Sequence, residues 1–320
     1  MELAEKTKLG GFFQSKRTLI IHHGRTSAHI TGVTPEPPVL VSALPIIDTG
    51  PLENSFMQPA HSLSTVFTRR EGSIGTIILN HPKVNTLSRQ LIEDLCAALD
   101  NMQSDTIHVL ILRALKGAKV FSAGHDVREL PTNGRDPLTY NDPLRHVIRS
   151  IESHPAPIIA MVEGSVWGGA CELVMACDLV VAADDATFAL TPARLGIPYN
   201  LSGTLNFLKV AGMHLVKEML FTAEPMSAQR LAAAGVINHV VPREELDTFT
   251  MEIARKITDT SPLVHRILKE ELRVLGNAHP LNPESYERIQ SLRREVYDSS
   301  DYQEGIKAFF EKRKPVFRGK

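Results

Sequence analysis

Gly168, Gly169 and Ala170 stand just ahead of an apolar run that carries one acid, Glu172, in "GSVWGGACELVMACD" (164–178). Adjacent glycines weaken a helix interior, but at a helix start they leave backbone N–H groups bare and approachable. Bare N–H groups at the positive end of a helix suit an oxygen that carries negative charge. A second small-residue loop, "FSAGHDVREL" (121–130), places Ser122, Ala123 and Gly124 directly after a strand-like segment. One amide from each loop, aimed at a single oxygen, would make an oxyanion hole. Removing one donor from such a hole typically costs about 2.7–4 kcal/mol of transition-state stabilisation. Either glycine loop alone more often reflects mere close packing.

The elements that must position these loops follow from periodicity. "STVFTRR", "GTIILN", "HVLILRAL", "PIIAMVEG" and "DLVVAAD" read as strands, rich in β-branched and apolar residues. Ser88 caps "RQLIEDLCAALDNMQS", whose Leu91, Ile92, Leu95, Ala98 and Leu99 share one helical face. "DPLRHVIRSIESH" predicts a helix stopped by Pro155 and Pro157. Repeated strand–helix–strand order implies a largely parallel sheet covered by helices. Beyond residue 205 the pattern is mostly helical. Residues 1–60 lack sustained periodicity and read as an N-terminal extension, either a disordered tail or sequence upstream of a true start at Met57. They match neither a secretory signal nor an acid-poor transit peptide.

Composition narrows the function. The 320 residues include 35 basic and 36 acidic side chains, a formal charge of −1. That balance leaves no electrostatic footprint for nucleic acid or an anionic membrane surface. Cys96, Cys171 and Cys177 fit no zinc spacing, and three cysteines make no disulfide framework, so a reducing, cytoplasmic setting is expected. No run of about 18 apolar residues predicts a membrane span.

"KVFSAGHDVREL" and "IIAMVEGSVWGGACELVMACDLVVAADDATFALTPARLGI" resemble the two signature segments of the crotonase (enoyl-CoA hydratase/isomerase) superfamily. "TAEPMSAQRLAAAGVINHVVP" and "DYQEGIKAFFEKRKPVF" resemble its later segments. The resemblance implies an α/β fold, a ClpP/crotonase-like spiral of repeated ββα units. The core would span residues 61–255, and residues 256–320 would form a C-terminal helical oligomerisation region. It implies that backbone N–H groups of His125 and Gly169 polarise an acyl-CoA thioester carbonyl, through an enolate. It also implies a homotrimer or homohexamer. "NDPLR", "LGIPYNL" and "KEELRVLG" resemble decarboxylating members, which implies conversion of methylmalonyl-CoA to propionyl-CoA and CO2.

Departures from a hydratase support that expectation. Hydratases of the family hold water with two glutamates. One corresponds to Glu172, but ungapped alignment of "LGIPYNLSGT" puts Pro192 at the other and Tyr199 where a proline is usual. A neutral Tyr199 hydroxyl could orient a departing carboxylate without stabilising it as a cation would. Thr191 is open between contacting the acyl group and capping a turn. Asp126 reads as a local cap more than a base. Lys119 and Lys312 are candidates for CoA phosphates, although such charges are commonly just solvated. Adenine would meet the backbone around Ala123 and Val127, and the Gly124 backbone is a further candidate for substrate contact. The His125 ring is expected to do little. No metal and no cofactor are expected beyond the CoA of the substrate. The alternative is a hydratase, isomerase or racemase using Glu172 as acid or base. A non-enzymatic RNA-binding or scaffolding member of the fold is a third reading, which the balanced charge disfavours.

Overall fold

The computed structural model describes residues 64–82, 84–130, 140–278 and 282–319. The extension over residues 1–60, Met57 included, lies outside the described residues.

A hairpin opens the fold. β1 (Val66–Glu71) and β2 (Ile74–Leu79) pair antiparallel across a two-residue turn, where Gly72 takes the positive φ of +57° that tight turns require. Ser88 then caps α1 (Arg89–Asn101), its hydroxyl accepting from the Leu91 amide. From there the chain repeats one unit three times. β3 (Val109–Ala114), β4 (Val120–Ser122) and α2 (Pro143–Ser153) come first. β5 (Ile158–Val162), β6 (Ser165–Trp167) and α3 (Gly169–Met175) follow. β7 (Leu179–Ala183), β8 (Thr187–Ala189) and α4 (Leu201–Val210) complete the series. The last part of the chain runs α5 (Met213–Thr222), β9 (Met226–Ser227), α6 (Ala228–Ala233) and β10 (His239–Val241). Four helices end it: α7 (Leu246–Thr258), α8 (Pro262–Gly276), α9 (Pro283–Tyr297) and α10 (Ser300–Phe310). The boundary expected at residue 255 falls inside α7.

Each unit gives its long strand to one sheet and its short strand to another. The larger sheet has the order β1-β2-β3-β5-β7-β10, parallel from β2 onward. The smaller has the order β4-β6-β8-β9, with β4, β6 and β8 parallel. Sequence periodicity found the long strands and passed over the short ones, because three residues are too few to show alternation. β5 is buried along its whole length, as a central parallel strand covered on both faces should be. One face of the large sheet packs against α1, α2 and α3 through Leu91, Leu95, Val147, Ile151 and Leu173. The opposite face, with Ile111, Ile159 and Val181, is covered by Leu246 and Ala254 of α7.

Candidate active site

The short parallel strands explain why the two glycine loops meet. β4 pairs with β6, Ser122 opposite Val166, and β6 pairs with β8, Trp167 opposite Ala189. Loops leaving parallel neighbours emerge at the same edge. Residues 123–126, 168–169 and 190–200 therefore converge. Gly124 has φ +80°, and a Cβ there would lie 2.3 Å from the Trp167 carbonyl oxygen and 3.2 Å from the Gly169 nitrogen. Only glycine lets the loops touch so closely. A Cβ on Gly169 would lie 3.8 Å from the His125 nitrogen. The His125 and Gly169 amides thus stand side by side. Among the described residues, neither donates to a backbone carbonyl, whereas the Gly168 amide is fastened to the Ala189 carbonyl at 2.8 Å.

A cavity of about 910 Å³ opens at this edge. His125, Gly169, Thr191 and Tyr199 line it together. Ala123, Asp126 and Val127 form a second side, and Phe309 and Phe310 at the end of α10, with Lys312 just beyond it, border the cavity. A hollow of about 1200 Å³ beside α8 contains none of these groups.

Three expected residues stand otherwise. Gly124 stands behind the cavity wall: its amide donates to the Ser122 hydroxyl, and its carbonyl accepts from Leu87. It brings the loops together and is not itself a lining residue. Lys119 likewise lies off the lining. Asp126 lines the cavity but caps a 3₁₀ turn over Val127–Glu129. Its carboxylate accepts from the Arg128 amide at 3.0 Å and pairs with the Arg128 guanidinium at 2.6 Å, which holds it below the usual carboxylate range. The Thr191 hydroxyl makes no capping bond, although its residue starts the 3₁₀ turn Pro192–Leu195. It lies 3.5 Å from the position of a Cβ on Gly168.

Tyr199 reaches the amide pair from the loop before α4. Its hydroxyl donates to the Gly168 carbonyl at 3.3 Å, and its ring meets Phe207 edge-on at 5.4 Å. Burial, helped by the Glu172 charge, pushes the phenol well above its ordinary range, so it is a neutral donor at any physiological pH.

Glu172 sits in the first turn of α3 and is 0 % exposed. One carboxylate oxygen accepts from Arg145 Nη1 at 3.0 Å and the other from Asn200 Nδ2 at 2.9 Å. Asn200 Oδ1 in turn accepts from Arg145 at 2.8 Å and from the Gly203 amide, capping α4. Burial raises the proton affinity of Glu172, against the opposing pull of Asn200 and Arg145. Both oxygens are tied to the scaffold, which leaves little freedom for acid–base work. Arg145 and Asn200 escaped the sequence reading. The signal was available in principle: a lone acid on an otherwise apolar helix needs buried partners.

The chain belongs to the enoyl-CoA hydratase/isomerase family, whose pattern it matches over residues 69–320. Methylmalonyl-CoA decarboxylase of Escherichia coli K12 is 56 % identical over 237 residues, 74 % of this chain and 91 % of that protein. A solved structure of methylmalonyl-CoA decarboxylase in complex with 2-nitronate-propionyl-CoA superposes with a TM-score of 0.80 at 52 % identity. It covers 81 % of this chain and 100 % of its own. The human mitochondrial enoyl-CoA hydratase domain-containing protein 3 is more distant, 36 % identical over 258 residues, 78 % of this chain and 82 % of that protein.

Proposed function

We propose that the chain decarboxylates methylmalonyl-CoA to propionyl-CoA and CO2. The observation that carries this is the pair of adjacent, unengaged amides of His125 and Gly169, with the neutral Tyr199 hydroxyl beside them and Glu172 fastened away. The thioester oxygen accepts from both amides. The C–C bond to the carboxylate breaks, its electron pair enters the thioester as an enolate, and CO2 departs. The enolate carbon then takes a proton from water. The amides hold the enolate oxygen more strongly than the ground-state carbonyl, which is what accelerates the step.

Tyr199 places the carboxylate. Its 3.3 Å bond to the Gly168 carbonyl is long, and a substrate carboxylate is a stronger acceptor for the same proton. So placed, the breaking bond stands across the thioester plane, where overlap is best. Trp167 and Ile197 line the cavity and limit water around the developing charge. Thr191 faces the acyl group, Ala123 and Val127 flank the adenine side, and Lys312 meets CoA phosphate. The scheme calls on no metal or further cofactor. Hydration fits poorly, since Pro192 starts a 3₁₀ turn where a second carboxylate would be needed.

We propose a homotrimer or homohexamer in a cytoplasmic setting. Supporting assembly, α8 has no buried residue, and it leaves Leu263, Ile267, Leu272 and Leu275 exposed. No helix among the described residues is long and apolar enough to cross a membrane.

The test is CO2 release from malonyl-, methylmalonyl- and ethylmalonyl-CoA, measured beside hydration of an enoyl-CoA. Release from methylmalonyl-CoA with little hydration is expected. Hydration without CO2 release overturns the reading.

A further inference from the structure

The loop that carries Tyr199 has two sides. One faces the cavity, and the other rests on α9 and α10. Gly196 has φ +65°, and a Cβ there would lie 2.6 Å from the Asp301 carbonyl oxygen. From the opposite direction, a Cβ on Gly305 of α10 would lie 2.1 Å from the Leu195 carbonyl oxygen. Ile197 is buried with Tyr297 and Tyr302 in a small separate core. The two C-terminal helices therefore clasp the chain just before Tyr199.

Arg293 of α9 completes the clasp. Only 6 % exposed, it directs its guanidinium Nη1 to the Pro198 carbonyl at 3.4 Å and to the Tyr199 carbonyl. A buried guanidinium is costly unless hydrogen bonds offset its lost hydration. Two such bonds fall on the main chain at Pro198 and Tyr199. Pro198 has no N–H, so this stretch has one fewer donor with which to fix itself. Asn200, the next residue, is already held by Arg145 and Glu172. The Tyr199 carbonyl is thus held by Arg293 from the C-terminal helices, and the side chain of the next residue, Asn200, by Arg145 from the core.

We infer that Arg293 is a positioning residue for Tyr199. It touches no substrate. It fixes the main chain that aims the phenol hydroxyl at the Gly168–Gly169 peptide. The inference rests on the decarboxylation reading above.

The experiment compares wild type, Arg293→Gln, Arg293→Lys, Tyr199→Phe and Arg293→Gln/Tyr199→Phe as full chains with methylmalonyl-CoA. Misplacement of a reacting group by a fraction of an ångström should lower kcat of Arg293→Gln about tenfold, with KM within about twofold. Arg293→Lys should recover much of the loss. In the Tyr199→Phe background, Arg293→Gln should cost less than about twofold more, because the hydroxyl it aims is already gone. An undiminished kcat, a change confined to KM, or losses that multiply in the double variant would overturn the inference. So would failure of both Arg293 variants to fold, which would make the arginine a requirement of stability. Wild-type chain that releases no CO2 overturns the decarboxylation reading and the inference together. Wild-type turnover with multiplying losses overturns the inference alone.

Discussion

Two walls of the cavity are built on opposite plans. On one, the His125 and Gly169 amides are main-chain donors with no backbone carbonyl partner among the described residues. On the other, Arg145, Glu172 and Asn200 are side chains that satisfy one another at 2.8–3.0 Å. On these two walls the carboxylate is already engaged, and the available amides cannot titrate. A site of this kind is suited to holding charge that the substrate generates, and poorly suited to moving protons on and off it.

The largest effect should come from removing a main-chain donor. Gly169 is the first residue of α3, a position where proline is tolerated because its missing N–H has no helical partner. Gly169→Pro should fold yet lose at least about a hundredfold in kcat, in line with loss of one oxyanion donor. Gly169→Ala keeps the amide and asks only that Leu144 Cδ2, 2.9 Å from the new carbon, give way. CO2 release, with circular dichroism as a check on folding, separates the two; equal activity would remove this wall from the chemistry.

Tyr199→Phe comes next. The hydroxyl acts by holding the breaking bond in line, and misplacement of a reacting group costs up to about a hundredfold, so kcat should fall by about one to two orders of magnitude with the fold intact. Unchanged kcat/KM would take the hydroxyl out of the reaction.

Glu172→Gln should alter stability more than chemistry, with kcat within about threefold. A much larger loss would make Glu172 an acid or base and revive the alternative reaction. The pH dependence has a definite sign. Burial raises the folded proton affinity of Glu172 above the ordinary 4.5. Its contribution to stability is therefore full below that pH and declines as pH rises through the folded value. Glutamine has no such slope, so denaturation curves at several pH values should show the wild type falling relative to the variant over that window.

His125→Ala should matter least, within about threefold in kcat/KM, because the residue acts through its amide. The ring's Nδ1 is buried and has no partner among the described residues, so truncation breaks no hydrogen bond there. A folded but inactive His125→Ala would show that the imbalance between the walls is less complete than the geometry suggests.

The long elements were legible in the sequence because each repeats its period several times. "HVLILRAL" and "PIIAMVEG" contain β3 and β5, and the Ser88 cap and Leu91–Leu95–Leu99 face reappear in α1. β4, β6 and β8 were not legible, yet their pairing is what sets the two glycine loops side by side. For the candidate donors, family resemblance supplied residue numbers and the small sheet supplied the physical cause. Arg145 and Arg293 were missed for one shared reason. Each lies on a helix that mixes charged with apolar side chains, and only the packing of α2 and α9 decides that these two turn inward. Gly124 was placed on the lining because small residues suggest access, whereas its smallness serves the neighbouring loop.

The small sheet has one more consequence. Two donors, each about 2.9 Å from a common oxygen at a tetrahedral angle, lie about 4.7 Å apart. Adjacent β-strands are spaced by about 4.7–4.9 Å. The spacing such a pair of donors needs is thus close to the spacing that backbone pairing of β4 with β6 sets at the roots of the two loops.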